Sequence, residues 1–261
     1  MPGAGLKIDV RRNRILEILA RDGQVRVAQL SELLGATVVT IRNDLDELEK
    51  SGYLQRTPGG AVQTAKNYSK LLFLRRSQEN ETYKRAVSLA AAKMISNGET
   101  VLINSGTTTF FTALQLKKHL NLNIVTNSIY VAKELGGIPS FRVLLLGGEI
   151  NAQYSFTYGS DALEQLQKYK ADKALLSMSG IGSEPGLTTY HADEAALDRM
   201  MIERARQTIV AADKTKLDFE GFSYVAPAEE IDTWVTNDDV DPAGADKLRT
   251  LGVEIALCPP L

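Results

Sequence analysis

One stretch constrains this chain more than any other: Val101-Leu102-Ile103-Asn104-Ser105-Gly106-Thr107-Thr108-Thr109-Phe110-Phe111. An apolar run stops at Asn104-Ser105-Gly106, three threonines follow, and Phe111, Leu114, Leu116 and Leu120 then mark an amphipathic helix. The pattern is strand, tight loop, helix start. In such a junction the glycine lets the backbone approach a ligand, while free helix amides and threonine hydroxyls point at one spot that suits a phosphate. The alternative is an ordinary turn whose threonines cap the helix.

The rest of the chain bears on that choice. After an amphipathic segment from Asn80 that closes at Asn97-Gly98, strand patterns fall near residues 101–103, 124–126, 142–146, 174–178, 208–212, 233–235 and 253–257. Helical patterns at 128–135, 161–169, 193–206 and 242–251 lie between them. Such alternation requires a largely parallel α/β sheet, in which ligands sit at the carboxyl ends of strands. The turns at those ends are Ser105-Gly106-Thr107-Thr108, Thr126-Asn127-Ser128, Gly147-Gly148 and Asp213-Lys214-Thr215-Lys216. Together they supply amides, hydroxyls and a lysine, which is what one phosphate needs.

The front of the chain differs in kind. Residues 1–76 hold 13 Lys and Arg against 8 Asp and Glu, a surplus of +5, whereas the remainder carries −7. A basic front on an acidic body points to a nucleic-acid-binding head. Helical stripes occupy residues 11–21 (Ile15, Ile18, Leu19), 27–34 (Leu30, Leu33, Leu34) and 37–50 (Ile41, Leu45, Leu48), with glycine at positions 23, 35 and 52 after each. Two short helices around a glycine turn form a helix-turn-helix, whose second helix enters the major groove. Thr37 caps that helix; Thr40, Arg42 and Asn43 fall off its apolar stripe and face DNA. Residues 53–56 and 61–63 flank Thr57-Pro58-Gly59-Gly60 as a two-stranded wing, with Arg56 placed to touch backbone phosphate. The domains expected are a head at 1–64, a polar linker at 65–79 with an apolar patch at 71–74 that docks on one domain, and a body at 80–261.

The lone Cys258 forms no internal disulfide, and with only His119 and His191 neither a metal nor a cofactor is implied. No apolar run reaches membrane-span length and residues 1–5 are no signal peptide, so a cytoplasmic protein is expected.

Residues 14–19 (Arg-Ile-Leu-Glu-Ile-Leu), Val27-Ala28-Gln29-Leu30-Ser31, Thr40-Ile41-Arg42-Asn43-Asp44-Leu45 and Arg56-Thr57-Pro58-Gly59-Gly60-Ala61 resemble the DeoR family of bacterial transcriptional regulators. The resemblance implies a winged helix-turn-helix followed by a ribose-5-phosphate-isomerase-like α/β effector domain. It also implies a repressor of a carbohydrate-utilisation operon that binds double-stranded operator DNA as a homodimer or larger homo-oligomer and answers to a phosphorylated sugar. The anion would rest on Gly106, Thr107, Thr108, Asn127, Ser128 and Lys216, with Gly147 and Gly148 lining the approach and Asn104 and Ser105 in the same loop. Two departures stand out. Asn43 replaces the family's usual second arginine, and Asn104 replaces an aspartate, which alters the contact to sugar hydroxyls.

Tyr190-His191-Ala192-Asp193-Glu194 offers a base and acids at a helix start; the reading is capping for Glu194 and a sugar-hydroxyl contact for His191 or Asp193. A sugar-phosphate isomerase with an incidental head is the competing function. Ser179-Gly180-Ile181-Gly182-Ser183 lacks the aspartate that the isomerases use in catalysis, which argues against it.

Overall fold

A computed structural model of the protein describes residues 8–63, 65–259 and 261. It divides into two compact units, Met1–Glu79 and Asn80–Leu261.

In the first unit α1 (Ile8–Asp22), β1 (Gln24–Arg26), α2 (Val27–Leu34), α3 (Val38–Lys50), β2 (Gln55–Thr57) and β3 (Gly60–Val62) enclose a small core. Ile15, Leu19, Leu30, Ile41 and Leu45 are all but inaccessible there, each contributing about 1.5–3 kcal/mol by burial. The wing has three strands, not two: β3 pairs with β2 and also with β1, with Gln24 opposite Val62. Residues 65–79, expected as a linker, form α4 (Ala65–Gln78) within this unit, and Leu74 of the apolar patch packs on the core. The segment holds no glycine or proline and is rich in Lys, Leu and Arg, so nothing in it breaks a helix.

The second unit runs α5 (Glu81–Ala92), β4 (Thr100–Ile103), α6 (Thr107–Leu116), β5 (Asn123–Thr126), α7 (Ile129–Leu135) and β6 (Arg142–Leu145). A hairpin of β7 (Glu149–Asn151) and β8 (Phe156–Tyr158) leads to α8 (Ser160–Gln167) and β9 (Ala171–Leu176). Next come β10 (Gly180–Ile181), β11 (Leu187–Thr189), α9 (Ala192–Arg204), β12 (Ala205–Ala211) and β13 (Ser223–Ala226). The last elements are β14 (Thr233–Asn237), α10 (Pro242–Thr250) and β15 (Glu254–Cys258).

Seven of these strands form one parallel sheet in the order β15-β14-β12-β9-β4-β5-β6. Alternate residues feed two apolar layers: Leu102, Leu176, Val210 and Trp234 on one face, Val101, Ile103, Leu175 and Val235 on the other. The chain winds from β4 outward to β6, returns to β9 on the other side of β4, and winds outward to β15. Winding therefore reverses between β4 and β9, the place where loops part and ligands enter such sheets. The loop at Asn104-Ser105-Gly106 leaves the sheet at that point.

Candidate functional site

The loop after β4 is built to stay in place without closing the end of α6. Asn104 is fully buried; its amide nitrogen donates to Ser177 O at 2.9 Å and to Asp198 Oδ1 at 3.0 Å, and its oxygen accepts from Ser177 N at 2.9 Å. The side chain expected to reach a sugar is thus a strut between β4, the end of β9 and α9. Gly106 lies against Ser177, where an added Cβ would sit 2.8 Å from the serine Cβ. Its φ of 177° is ordinary extended backbone, so the glycine is there for space.

The threonines do not cap α6. Gly106 is its N-cap and supplies no side chain, while Thr109 Oγ1 turns back to the carbonyls of Asn104 and Gly106 at 3.1 Å each. Among the described residues no hydrogen-bond partner meets the hydroxyls of Thr107 and Thr108, which are nearly buried. Uncapped amides and two free hydroxyls at one helix end, at the sheet's switch point, are the makings of an anion site. Ser88 supports it from below by donating to Thr108 O at 3.0 Å.

Opposite the loop stands the first half of α9. Glu194, read from sequence as a cap, instead accepts the Ser105 hydroxyl at 2.9 Å and the Thr189 hydroxyl at 2.6 Å. One turn on, Asp198 is fully buried with Oδ2 unpartnered. Burial first, and then the nearby Glu194 charge, push its carboxyl well above the usual range, with the Asn104 bond opposing. His191, the helix N-cap, packs its ring on Tyr154 at 4.5 Å and leaves a buried Nε2 without a partner. Asp193 is exposed, near enough to Tyr158 to help raise that phenol, after the larger effect of Glu149.

At the end of β5, Asn127 is buried; its nitrogen donates to Thr157 O at 3.4 Å and its Oδ1 has no partner. Ser128 is the N-cap of α7, accepting from Val131 N at 3.3 Å. Gly147 is held by Gln165 at 3.0 Å, and Gly148, at φ 134° with Tyr158 O just 2.3 Å from where a Cβ would be, serves the turn into β7. Both glycines belong to the hairpin's root. Lys216 ends the short turn Lys214–Lys216 after β12. Lys216 follows β12, which β9 separates from β4 by about 10 Å across the sheet. Unlike Lys214, which pairs with Asp239, it makes no ion pair among the described residues.

Sequence reasoning missed Ser177, Thr189, Asp198 and Tyr154. Ser177 and Asp198 join the site through contacts with Asn104, far away in the chain, Thr189 through a hydrogen bond to Glu194 from a three-residue strand, and Tyr154 through the turn of a short hairpin.

In the first unit, Thr37 caps α3 by accepting from Thr40 N at 3.1 Å, as read from the sequence. Arg42 and Asn43 are exposed on the same surface, joined by Val39, an apolar side chain 64% exposed that the sequence reading left out. The buried Asp44 receives both Arg11 and Arg12 of α1, fixing the helix about its axis. Arg56 departs from expectation: it does not reach outward but lies beside Asp46 of α3, Nε to Oδ1 3.2 Å, with its side chain 23% exposed.

A winged helix-turn-helix joined to a switch-point crevice defines a class: DNA-binding regulators with a small-molecule sensing domain. The chain belongs to the DeoR family. Its residues 11–67 match the DeoR-like helix-turn-helix domain and residues 79–238 the DeoR C terminal sensor domain. A protein of Escherichia coli O157:H7 named for repression of the aga operon is 35% identical over 95% of this chain and 93% of its own. The HTH-type transcriptional repressor GlcR of Bacillus subtilis (strain 168) is 33% identical over 92% and 93%. The glycerol-3-phosphate regulon repressor of Escherichia coli (strain K12) is 28% identical over 97% and 100%. Among solved structures, ribose 5-phosphate isomerase A of Methanocaldococcus jannaschii is 14% identical, with a TM-score of 0.39 over 52% of this chain and 54% of its own. The protein is a DNA-binding transcriptional regulator, and no helix among the described residues is long and apolar enough to cross a membrane.

Proposed function

We propose that the protein represses a carbohydrate-utilisation operon and that a phosphorylated sugar controls its hold on DNA. The observation that carries this reading is the uncapped start of α6, with the Thr107 and Thr108 hydroxyls free beside it. The phosphate lies on those amides and hydroxyls and draws on Lys216 for charge; the sugar extends toward Asn127 and His191, whose buried Oδ1 and Nε2 await partners. Glu194 and Asp198 hold the loop and α9 in register through Ser105 and Asn104 and do not meet the phosphate, which the Glu194 carboxylate would repel. Arg42, Asn43, Thr40 and Val39 read bases, Val39 by apolar contact with thymine methyls. Two or more heads are needed for spaced half-sites, and the α/β body joins them.

A thermal-shift screen tests the reading. Sugar phosphates are compared with the same sugars lacking phosphate, since a ligand that binds only the native state raises its melting temperature. A phosphorylated member that stabilises the protein while its dephosphorylated form does not supports the proposal; equal shifts from both would remove it.

A further inference from the structure

The wing arginine is held in an unusual way. Its backbone N–H donates to Glu49 Oε1 at 2.6 Å, which pins β2 to the last turn of α3. Its guanidinium is drawn to Asp46, yet Nε and Nη1 are buried with no hydrogen-bond acceptor. The pair is therefore held by charge without the directed bonds that arginine makes to a well-placed oxyanion. Those two donors are unsatisfied where they lie and gain a partner when the side chain swings out to a better acceptor.

The position of Asp46 explains what that means on DNA. Asp46 follows Arg42 by four residues and shares its side of α3, between the groove-facing first turns and the wing. It is 53% exposed, at the border where backbone phosphates flank an inserted helix. Binding to any sequence is driven by cations that release counterions from phosphate. Arg42 and Arg26 are exposed without ion pairs among the described residues, whereas Arg56 is neutralised by its neighbour.

We propose that Asp46 is a specificity-determining residue: its carboxylate holds Arg56 off the DNA backbone and so keeps binding to non-cognate DNA weak. Weak background binding matters because a genome offers a vast excess of wrong sites. On a matched site, where α3 seats fully, phosphate replaces Asp46 as the partner of Arg56. The inference rests on the reading that α3 and the wing face DNA.

The test uses the full chain and a random-sequence duplex, followed by fluorescence anisotropy across a salt series. Asp46→Asn frees one cation per head, so for each engaged head affinity should rise about eightfold at roughly 0.1 M salt and the log–log salt slope should steepen by about 0.9. Asp46→Ala should give the same gain, and the gain should vanish when Arg56→Gln is added to Asp46→Asn. No gain in either single variant overturns the inference, as does a gain that persists without Arg56. Arg42→Ala separates the two failures. If its log–log salt slope on the random duplex is shallower by about 0.9 per head while Asp46→Asn changes nothing, only the inference falls; if the slope is that of the wild type, the DNA-facing surface is misassigned and both fall.

Discussion

Gly106→Ala probes the loop where packing is tightest. The new Cβ would lie 2.8 Å from Ser177 Cβ, 2.9 Å from Ser177 Oγ and 3.1 Å from Thr109 Oγ1, whereas unstrained carbon contacts fall near 3.5–4.0 Å. Ser177 cannot yield easily, because its backbone N–H and carbonyl are both bonded to Asn104. The loop must therefore move by roughly 1 Å, at a cost of about 1–3 kcal/mol for overpacking. With no left-handed backbone at this glycine, strain of that kind adds nothing. For a body of this size the melting temperature should fall by about 2–4 °C per kcal/mol. A 1 Å shift also takes the amides of Thr107 and Thr108 out of hydrogen-bond range of a bound phosphate, so sugar-phosphate affinity should fall by at least about tenfold. Differential scanning calorimetry and titration of the sugar phosphate read the two effects. Gly147→Ala is the control, since its Cβ meets only the movable amide of Gln165 at 3.1 Å. If Gly106→Ala melts and binds as the wild type does, the close approach has no role and the loop is an ordinary turn.

Arg42→Ala should weaken specific operator binding by about 1–3 kcal/mol if the side chain reads a base, with little change on random DNA beyond one phosphate's worth of salt dependence, as gel shifts at several salt concentrations would show. Asp198 holds its proton in the folded protein at pH values where the unfolded chain has lost it. Its contribution is therefore complete below about pH 4 and is lost as pH rises toward and through the raised folded value. Asp198→Asn keeps an acceptor for Asn104 and removes that loss, so urea unfolding should show the variant gaining on the wild type as pH climbs from 4 to 7. A chain beginning at Asn80 should remain at least a dimer by light scattering; a monomer would move the interface to the first unit.

The seven sheet strands were legible because each is a short apolar run and helical stripes recur between them, and the strand ends near Gly106, Asn127 and Lys216 could be named from the chain alone. What could not be named depends on order across the sheet. Ser177 matters only because β9 lies beside β4, and nothing local in Met178-Ser179-Gly180 announces it. Glu194 begins a helix in any reading, and only the fold brings Ser105, 89 residues earlier, against its carboxylate. The strands β7, β8, β10 and β11 are two or three residues long, too short for alternation to register. In the first unit α1, α2 and α3 followed from periodicity and the Thr37 cap from its residue type, whereas α4 was read as linker and the turning of Arg56 onto Asp46 depended on how β2 lies against α3.

The claim at the centre of this account is that one phosphate rests at the start of α6 and is neutralised by Lys216. Isothermal titration of the sugar phosphate identified by thermal shift, into wild type and Lys216→Ala, tests it most directly. Loss of the charge-assisted bonds should cost the variant about 1.5–3 kcal/mol, roughly 10- to 150-fold in affinity, with operator binding in the absence of ligand unchanged. Equal affinity in the two proteins would place the phosphate elsewhere and contradict the assignment.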